Sequence, residues 1–240
     1  MILMKSFRKI MIVSKYKANS IIRSPQLLSA PVLAIGFCWL LTKYLPKEQM
    51  SMQPLFVVNT GLTFSVAMGG IMLTALPLSA DKESNILRVL MVSSISPVVY
   101  LLGSILPSLG IIFVTNTLIG SLWLPEQIPL MSYIFISTVA TLISLTLGLI
   151  IGLFCSNQVE ASSTCIPVVF IFALLPILKV MSSDFEKYNK YLYTSQMLSY
   201  LERIYSNQST VTTEMIIVFS STFLFSVTLC IYGYIKNKFD

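Results

Sequence analysis

The chain has 240 residues, of which 55% are hydrophobic and only 11% are charged. Soluble domains carry about 25% charged residues, and a soluble fold of this size could not hide so much apolar surface from water. We therefore predict an integral membrane protein. Its spans should be helices, because an open sheet edge in lipid leaves backbone groups without hydrogen-bond partners, so the predicted fold class is an all-α membrane protein.

The net charge is +6, and the sequence contains no His. We expect no nucleic-acid partner, because membrane proteins collect Lys and Arg on their cytoplasmic segments for a different reason. A chain without His lacks the usual zinc ligand sets and His-based catalysis. The four Cys residues have no CxxC spacing and lie in or beside apolar runs, which is typical of small buried apolar residues rather than of a metal site.

Residues 1–26 have the pattern of an amphipathic helix that lies in the membrane surface. An anionic leaflet attracts such a helix, at about 1 kcal/mol per basic residue near the surface. A positive topology signal would also explain the charges, and the two interpretations are compatible. The predicted interfacial basic residues are Lys5, Arg8, Lys9, Lys15, Lys17 and Arg23.

Six apolar runs follow, each long enough to cross a hydrocarbon core that needs about 20 helical residues. We expect the fifth span to be irregular, because Pro167 and Pro176 each remove a backbone hydrogen bond. The six basic residues before the first span favour a topology in which both termini are cytoplasmic. The predicted spans lie near residues 27–45, 54–79, 97–124, 131–154, 164–181 and 214–235.

Two further segments are expected to shape the membrane domain. The outer segment 182–213 carries apolar and aromatic residues at three- and four-residue spacings. This spacing predicts one or two short amphipathic helices at the outer surface, and an outer gate or exit cap is the functional alternative. In the fourth span, Gly148 and Gly152 match the small-xxx-small pattern, which serves either internal helix packing or dimerisation.

The chemistry that would power a transporter is missing from the sequence. Every Asp and Glu lies in a predicted loop or at a span end, which argues against a proton-coupled carrier and an intramembrane aspartic protease. No GxxxxGK[ST] phosphate loop occurs, so we predict no catalytic residue and no cofactor in this chain. An active transporter built on it would need a separate ATPase that holds ATP and Mg²⁺.

A short polar stretch between the second and third spans is the best candidate for a contact with such an ATPase. We predict a cytoplasmic coupling helix at 81–94 that begins with Asp81 and Glu83, since negative charge is favoured at a helix N-terminus. An apolar strip on this helix would suit a groove on a partner, and an ordinary surface linker helix is the alternative. The predicted coupling residues are Asp81, Lys82, Glu83, Ile86, Leu87, Arg88, Leu90 and Met91.

The stretch 81–106 resembles the first cytoplasmic loop of ABC-2 type permeases, the membrane halves of type V ABC exporters. Ser84-Asn85 stands where that family usually has a glycine. Arg23-Ser24-Pro25 is similar to the family's Arg-x-Pro turn, and Ser156 to Ala161 resembles its loop between spans 4 and 5. The resemblance within 81–106 rests on Asp81-Lys82-Glu83, Ile86 to Leu90, Ser96-Pro97 and Tyr100 to Gly103.

The resemblance implies a permease subunit in a bacterial cell membrane that works with an ABC ATPase and with a second copy or a homologous permease. In its length the chain is similar to permeases that export antimicrobial or cytolytic peptides or give immunity to bacteriocins. Lipid, lipid-linked polymer or drug are the alternative cargoes, and a non-transporting scaffold or sensor subunit is the alternative from another class. Cargo identity, homodimer or heterodimer, and the helix faces that line the pathway stay open.

Overall fold

The structure is a computed structural model that describes residues 2–46, 55–86, 96–178, 189–208 and 211–236. Every regular element in these ranges is a helix, which confirms the predicted all-α class. The helices are α1 Ile2–Arg23, α2 Pro25–Tyr44, α3 Phe56–Glu83, α4 Pro97–Trp123, α5 Leu130–Phe154, α6 Gln158–Leu178, α7 Tyr193–Tyr205 and α8 Thr213–Lys236. Helices α2 to α6 and α8 are long and apolar enough to cross a membrane, so the described residues contain six candidate spans.

Helix α3 forms the centre of the bundle. In its most apolar stretch 83% of the residues are buried, against 22% to 56% in the other five membrane helices. It packs along α5 through the two glycines that the sequence singled out. A Cβ atom at Gly148 would lie 2.4 Å from the backbone oxygen of Ile71, and one at Gly152 would lie 2.9 Å from that of Ala75. The small-xxx-small pattern therefore serves internal packing between α3 and α5.

Two of the membrane helices contain π-helical turns. The turn in α6 spans Phe170–Leu174, between Pro167 and Pro176, where the prolines predicted irregularity. A second π-helical turn at Phe64–Gly69 in α3 was not predicted, since no proline lies there. The two turns contact each other, so the irregular parts of α3 and α6 meet inside the bundle.

Helix α7 is the described helix of the predicted outer segment. Its apolar side is buried against the bundle, where Tyr193, Met197 and Leu201 are fully enclosed. The hydroxyl groups of Tyr193 and Ser144 of α5 are hydrogen-bonded at 2.7 Å. The apolar side of α7 therefore contacts protein. Residues 182–188 and 209–210 of that segment lie outside the described residues.

Helix α1 lies beside the Glu83 end of α3 and packs mainly on α4. A Cβ atom at Gly103 would lie 2.8 Å from Val13, so the missing side chain lets the two helices approach closely. One stripe of α1 is buried, while Phe7, Met11 and Ile22 on another side are exposed. The helix is amphipathic as predicted, and protein covers part of its surface.

Candidate functional site

Three consecutive charged residues, Asp81, Lys82 and Glu83, end the central helix α3, and each bonds to a different part of the bundle. The prediction that they begin a coupling helix is wrong, because they form the last turn of α3 instead. The helix that contains the second predicted span also continues past residue 79, to Glu83. The helix continues because these three side chains find partners on neighbouring helices.

Asp81 connects α3 to α1 and α4. Its side chain is buried, and its Oδ2 atom lies 2.7 Å from Lys17 Nζ of α1. The hydroxyl of Tyr100 on α4 donates a hydrogen bond to the same oxygen. Lys17 Nζ also donates to the carbonyl oxygen of Pro77 at 2.8 Å and lies 5.3 Å from the centre of the Tyr100 ring. Each charge of the pair thus has a second partner, which a buried pair needs to offset its desolvation.

Lys17 was predicted among the basic residues on the membrane surface, and this placement is wrong, since only 1% of the residue is exposed. Burial lowers the pKa of its ammonium group, and the nearby Asp81 carboxylate acts in the opposite direction. The sequence carried a signal for this position. Lys17 lies four residues from both Val13 and Ile21, which are buried on the same stripe of α1.

The other predicted interfacial residues lie elsewhere on α1. Arg8, Lys15 and Arg23 are exposed, and Lys9 is half-buried. The side chain of Lys5 lies outside the described part of the chain.

Lys82 connects α3 to the end of α5. Its Nζ atom donates to the carbonyl oxygens of Leu153 at 2.6 Å and Cys155 at 2.7 Å. The last carbonyls of a helix have no partner inside it, and they form the negative end of the helix dipole. The ammonium group therefore satisfies two such carbonyls and holds the end of α5 against α3.

Glu83 connects α3 to the start of α6. Its Oε2 atom accepts a hydrogen bond of 3.1 Å from the backbone N–H of Gln158, the first residue of that helix. The same turn is braced locally, because the N–H of Glu160 donates to Asn157 Oδ1 and the N–H of Ser156 donates to Glu160 Oε2. A carboxylate at a helix N-terminus is favoured by the dipole and by the free N–H groups there.

We name Lys17, Asp81, Lys82, Glu83 and Tyr100 the polar junction. It joins α1, α3, α4, the end of α5 and the start of α6 at one end of the bundle. Within the described ranges, no group of three or more His, Cys, Asp or Glu side chains could hold a metal ion. The arrangement connects helices to one another.

The chain leaves α3 through a sharp turn at Asn85. This residue has a φ of 57°, in the left-handed region that favours glycine, and its N–H donates to the carbonyl oxygen of Lys82. Asn is one of the few other residues that adopt this conformation readily, so it can serve at a position where the resemblance implies a glycine. Ile86 is half-buried, while Leu87, Arg88, Leu90 and Met91 lie outside the described residues.

This turn gives a direct test of the junction's geometry. Replacing Asn85 by valine should lower the free energy of unfolding by about 1–2 kcal/mol, because a β-branched side chain is strained at positive φ. Asn85→Gly should unfold no more readily than the wild type. Denaturant unfolding of the purified chain in micelles measures both, and equal stability of the valine and glycine variants would contradict the turn.

The fold and the polar junction define a helical membrane protein. Its most buried membrane helix, α3, is connected to neighbouring helices by the side chains of its last turn. The family model described as ABC-2 type transporter matches residues 8–208. The chain therefore belongs to the ABC-2 type transporter family and is a multi-pass membrane protein. Members of this family are the membrane component of an ABC transporter, not its ATPase, and generally work with an ABC ATPase subunit. A search of curated proteins found no match.

Proposed function

We propose that this chain is the permease of an ATP-driven exporter and that an ABC ATPase subunit acts on the segment that follows Glu83. The observation that carries the proposal is the polar junction. Three consecutive residues immediately before Ser84 connect α3 to α1, α5 and α6. A displacement of the segment that follows would therefore reach several helices at once.

The position of α3 makes this transmission effective. Because it is the most buried membrane helix, a shift at its Glu83 end changes packing along much of the bundle. Packed cores resist continuous deformation and respond by moving between discrete arrangements. We infer that closure of the ATPases moves the bundle from an inward-facing to an outward-facing state in this way.

The cargo we propose is hydrophobic or amphipathic, most simply a peptide. The membrane helices offer apolar, hydroxyl and aromatic side chains, and the charged residues of the described spans lie near helix ends. Walls of this kind suit a cargo with a large apolar surface. The subgroup that exports antimicrobial peptides or gives immunity to bacteriocins fits this chemistry, while lipid, lipid-linked polymer and drug are the competing cargoes.

The proposed assembly has two ATPase subunits, which hold ATP and Mg²⁺, and a second permease that is identical or similar. It lies in a bacterial cell membrane with both termini of this chain in the cytoplasm. The exposed Arg8, Lys15 and Arg23 of α1 would then face the headgroups of the inner leaflet, which are often anionic. Lys17 has no part in that contact.

The coupling role is tested with Glu83→Ala and Leu87→Asp in the reconstituted complex with its ATPase. The first removes the carboxylate that holds the start of α6, and the second puts a charge on the predicted apolar strip. We expect the permease-dependent rate of ATP hydrolysis to fall about two- to fivefold for Glu83→Ala, because an exposed charged contact is worth about 0.2–1 kcal/mol. Leu87→Asp should lower it by about tenfold or more, because it replaces an apolar contact worth about 1.5–3 kcal/mol by a charge. Turnover in proteoliposomes with and without candidate peptides is the measurement.

Glu126→Ala is the matched control, because Glu126 is an exposed glutamate at the opposite end of the bundle. It should leave assembly and ATP turnover unchanged. If Glu83→Ala and Leu87→Asp behave like this control, neither Glu83 nor the segment that follows it couples the ATPase. If the rate of ATP hydrolysis does not change with any peptide, lipid or drug tested, the result would instead favour a scaffold or sensor subunit.

A further inference from the structure

An open polar hollow of about 430 Å³ lies between α7 and the first turn of α8. Its described lining residues are all polar or charged, including Lys190, Arg203 and Glu214. Sites for apolar ligands are lined mainly by hydrophobic and aromatic side chains. The hollow therefore suits a charged group and not the apolar body of a cargo.

Charges of both signs line the hollow, because Lys190 and Arg203 lie there with Glu202 and Glu214. Within the described residues, no ion pair joins Lys190 or Arg203 to Glu214. Two of the lining residues are bonded to each other, because the side-chain amide of Gln196 donates to the carbonyl oxygen of Lys190 at 2.7 Å. Asn189 is 1% exposed, and its Oδ1 atom has no hydrogen-bond partner in the described part of the chain. A ligand that carries both a cationic and an anionic group would match this lining.

An exposed apolar surface adjoins the hollow. Glu214 lies in the first turn of the membrane helix α8, and Ile217, Leu224 and Phe225 follow it at spacings of 3, 10 and 11 residues. These spacings place them on one face of the helix. The three apolar residues are 63% to 64% exposed, so they form an open apolar stripe that runs from the hollow toward the middle of the span.

We propose that the hollow binds the headgroup of a zwitterionic phospholipid whose acyl chains lie along the stripe of Ile217, Leu224 and Phe225. The guanidinium of Arg203 and the ammonium of Lys190 would hold the phosphate, since Arg matches phosphate oxygens with paired N–H donors. The carboxylate of Glu214 would accept from the lipid ammonium group. The charged part of a peptide could also enter a polar hollow, but the lipid-facing stripe beneath it favours a membrane lipid.

The test is native mass spectrometry of the purified full chain in micelles, with phosphatidylethanolamine and phosphatidylglycerol of identical acyl chains. Arg203→Gln should lower retention of both lipids by about tenfold, because both carry the phosphate. Glu214→Gln should lower retention of phosphatidylethanolamine by a similar factor and leave phosphatidylglycerol unchanged, since only the first lipid has an ammonium group. This split separates headgroup recognition from a general loss of structure.

Two controls lie at the same end of the bundle but outside the hollow. Glu126→Gln and Lys43→Gln should retain both lipids as the wild type does. The proposal is wrong if Arg203→Gln and Glu214→Gln also match the wild type, or if both lose the two lipids equally. It is also wrong if free phosphoethanolamine, or a charged peptide, displaces the lipid at equal concentration, since the site would then serve a ligand without acyl chains. Each of these results leaves the coupling experiment on Glu83 unaffected.

Discussion

Replacing Lys17 by methionine should destabilise the folded chain by about 3–5 kcal/mol, because it leaves the buried carboxylate of Asp81 without its counter-ion. Methionine is similar in length to lysine, so loss of packing contributes little. The hydroxyl of Tyr100 would remain as a hydrogen-bond donor, but it carries no charge. The free energy of unfolding in mixed micelles, followed by Trp fluorescence, is the measurement.

Two companion variants make this result specific. Lys15→Met removes a charge from an exposed position on the same helix and should change stability by less than about 0.5 kcal/mol. Adding Asp81→Asn to Lys17→Met should recover most of the loss, because no unpaired charge then remains and Tyr100 can still donate. If Lys17→Met is as mild as Lys15→Met, Lys17 lies on the membrane surface as the sequence pattern first indicated.

Replacing Gly148 by alanine should also cost about 1–3 kcal/mol or more, because the added methyl group has no space. Its Cβ atom would lie 2.0 Å from Thr74 Oγ1 and 2.4 Å from the backbone oxygen of Ile71. Thr74 is held in turn, since its hydroxyl lies within hydrogen-bond distance of the carbonyl oxygens of Gly70 and Leu145. The variant must therefore push α5 away from α3, and unfolding of the purified chain measures the cost.

Gly110→Ala is the control for this substitution. It is also a glycine inside a membrane helix, but a Cβ atom there would meet nothing within 4 Å. Its stability should equal or slightly exceed that of the wild type, because alanine has the higher helix propensity. If Gly148→Ala leaves the free energy of unfolding unchanged but prevents dimerisation, the small-xxx-small motif serves association between two copies of the chain instead.

The six membrane helices could be predicted because lipid imposes a simple rule on the sequence. A run of about 20 apolar residues must be helical and must end where charge can reach water. That rule indicated six apolar runs, but it ended the second run at residue 79, whereas the helix continues through Asp81 to Glu83. It failed there because charged residues can stay in a helix when side chains or backbone groups of other helices bond to them. The sequence of one apolar run does not reveal those bonding partners.

Irregular helix geometry was predictable only where proline causes it. The π-helical turn of α6 lies between two prolines, whereas that of α3 at Phe64–Gly69 has no local residue that forces it. The polar junction was hidden for a similar reason. The spacing of Lys17 with Val13 and Ile21 could have indicated burial, but its pairing with Asp81 depends on how α1 packs against α3 and α4.

The buried pair of Lys17 and Asp81 also has a consequence for the order in which the protein is assembled. Lys17 leaves the ribosome well before Asp81, so its ammonium group must remain hydrated until α3 has entered the membrane. Docking of α1 against α3 and α4 then follows insertion of the first three spans. A chain released before Asp81 would keep its N-terminal helix undocked, with the apolar residues Val13 and Ile21 open to chaperones and proteases.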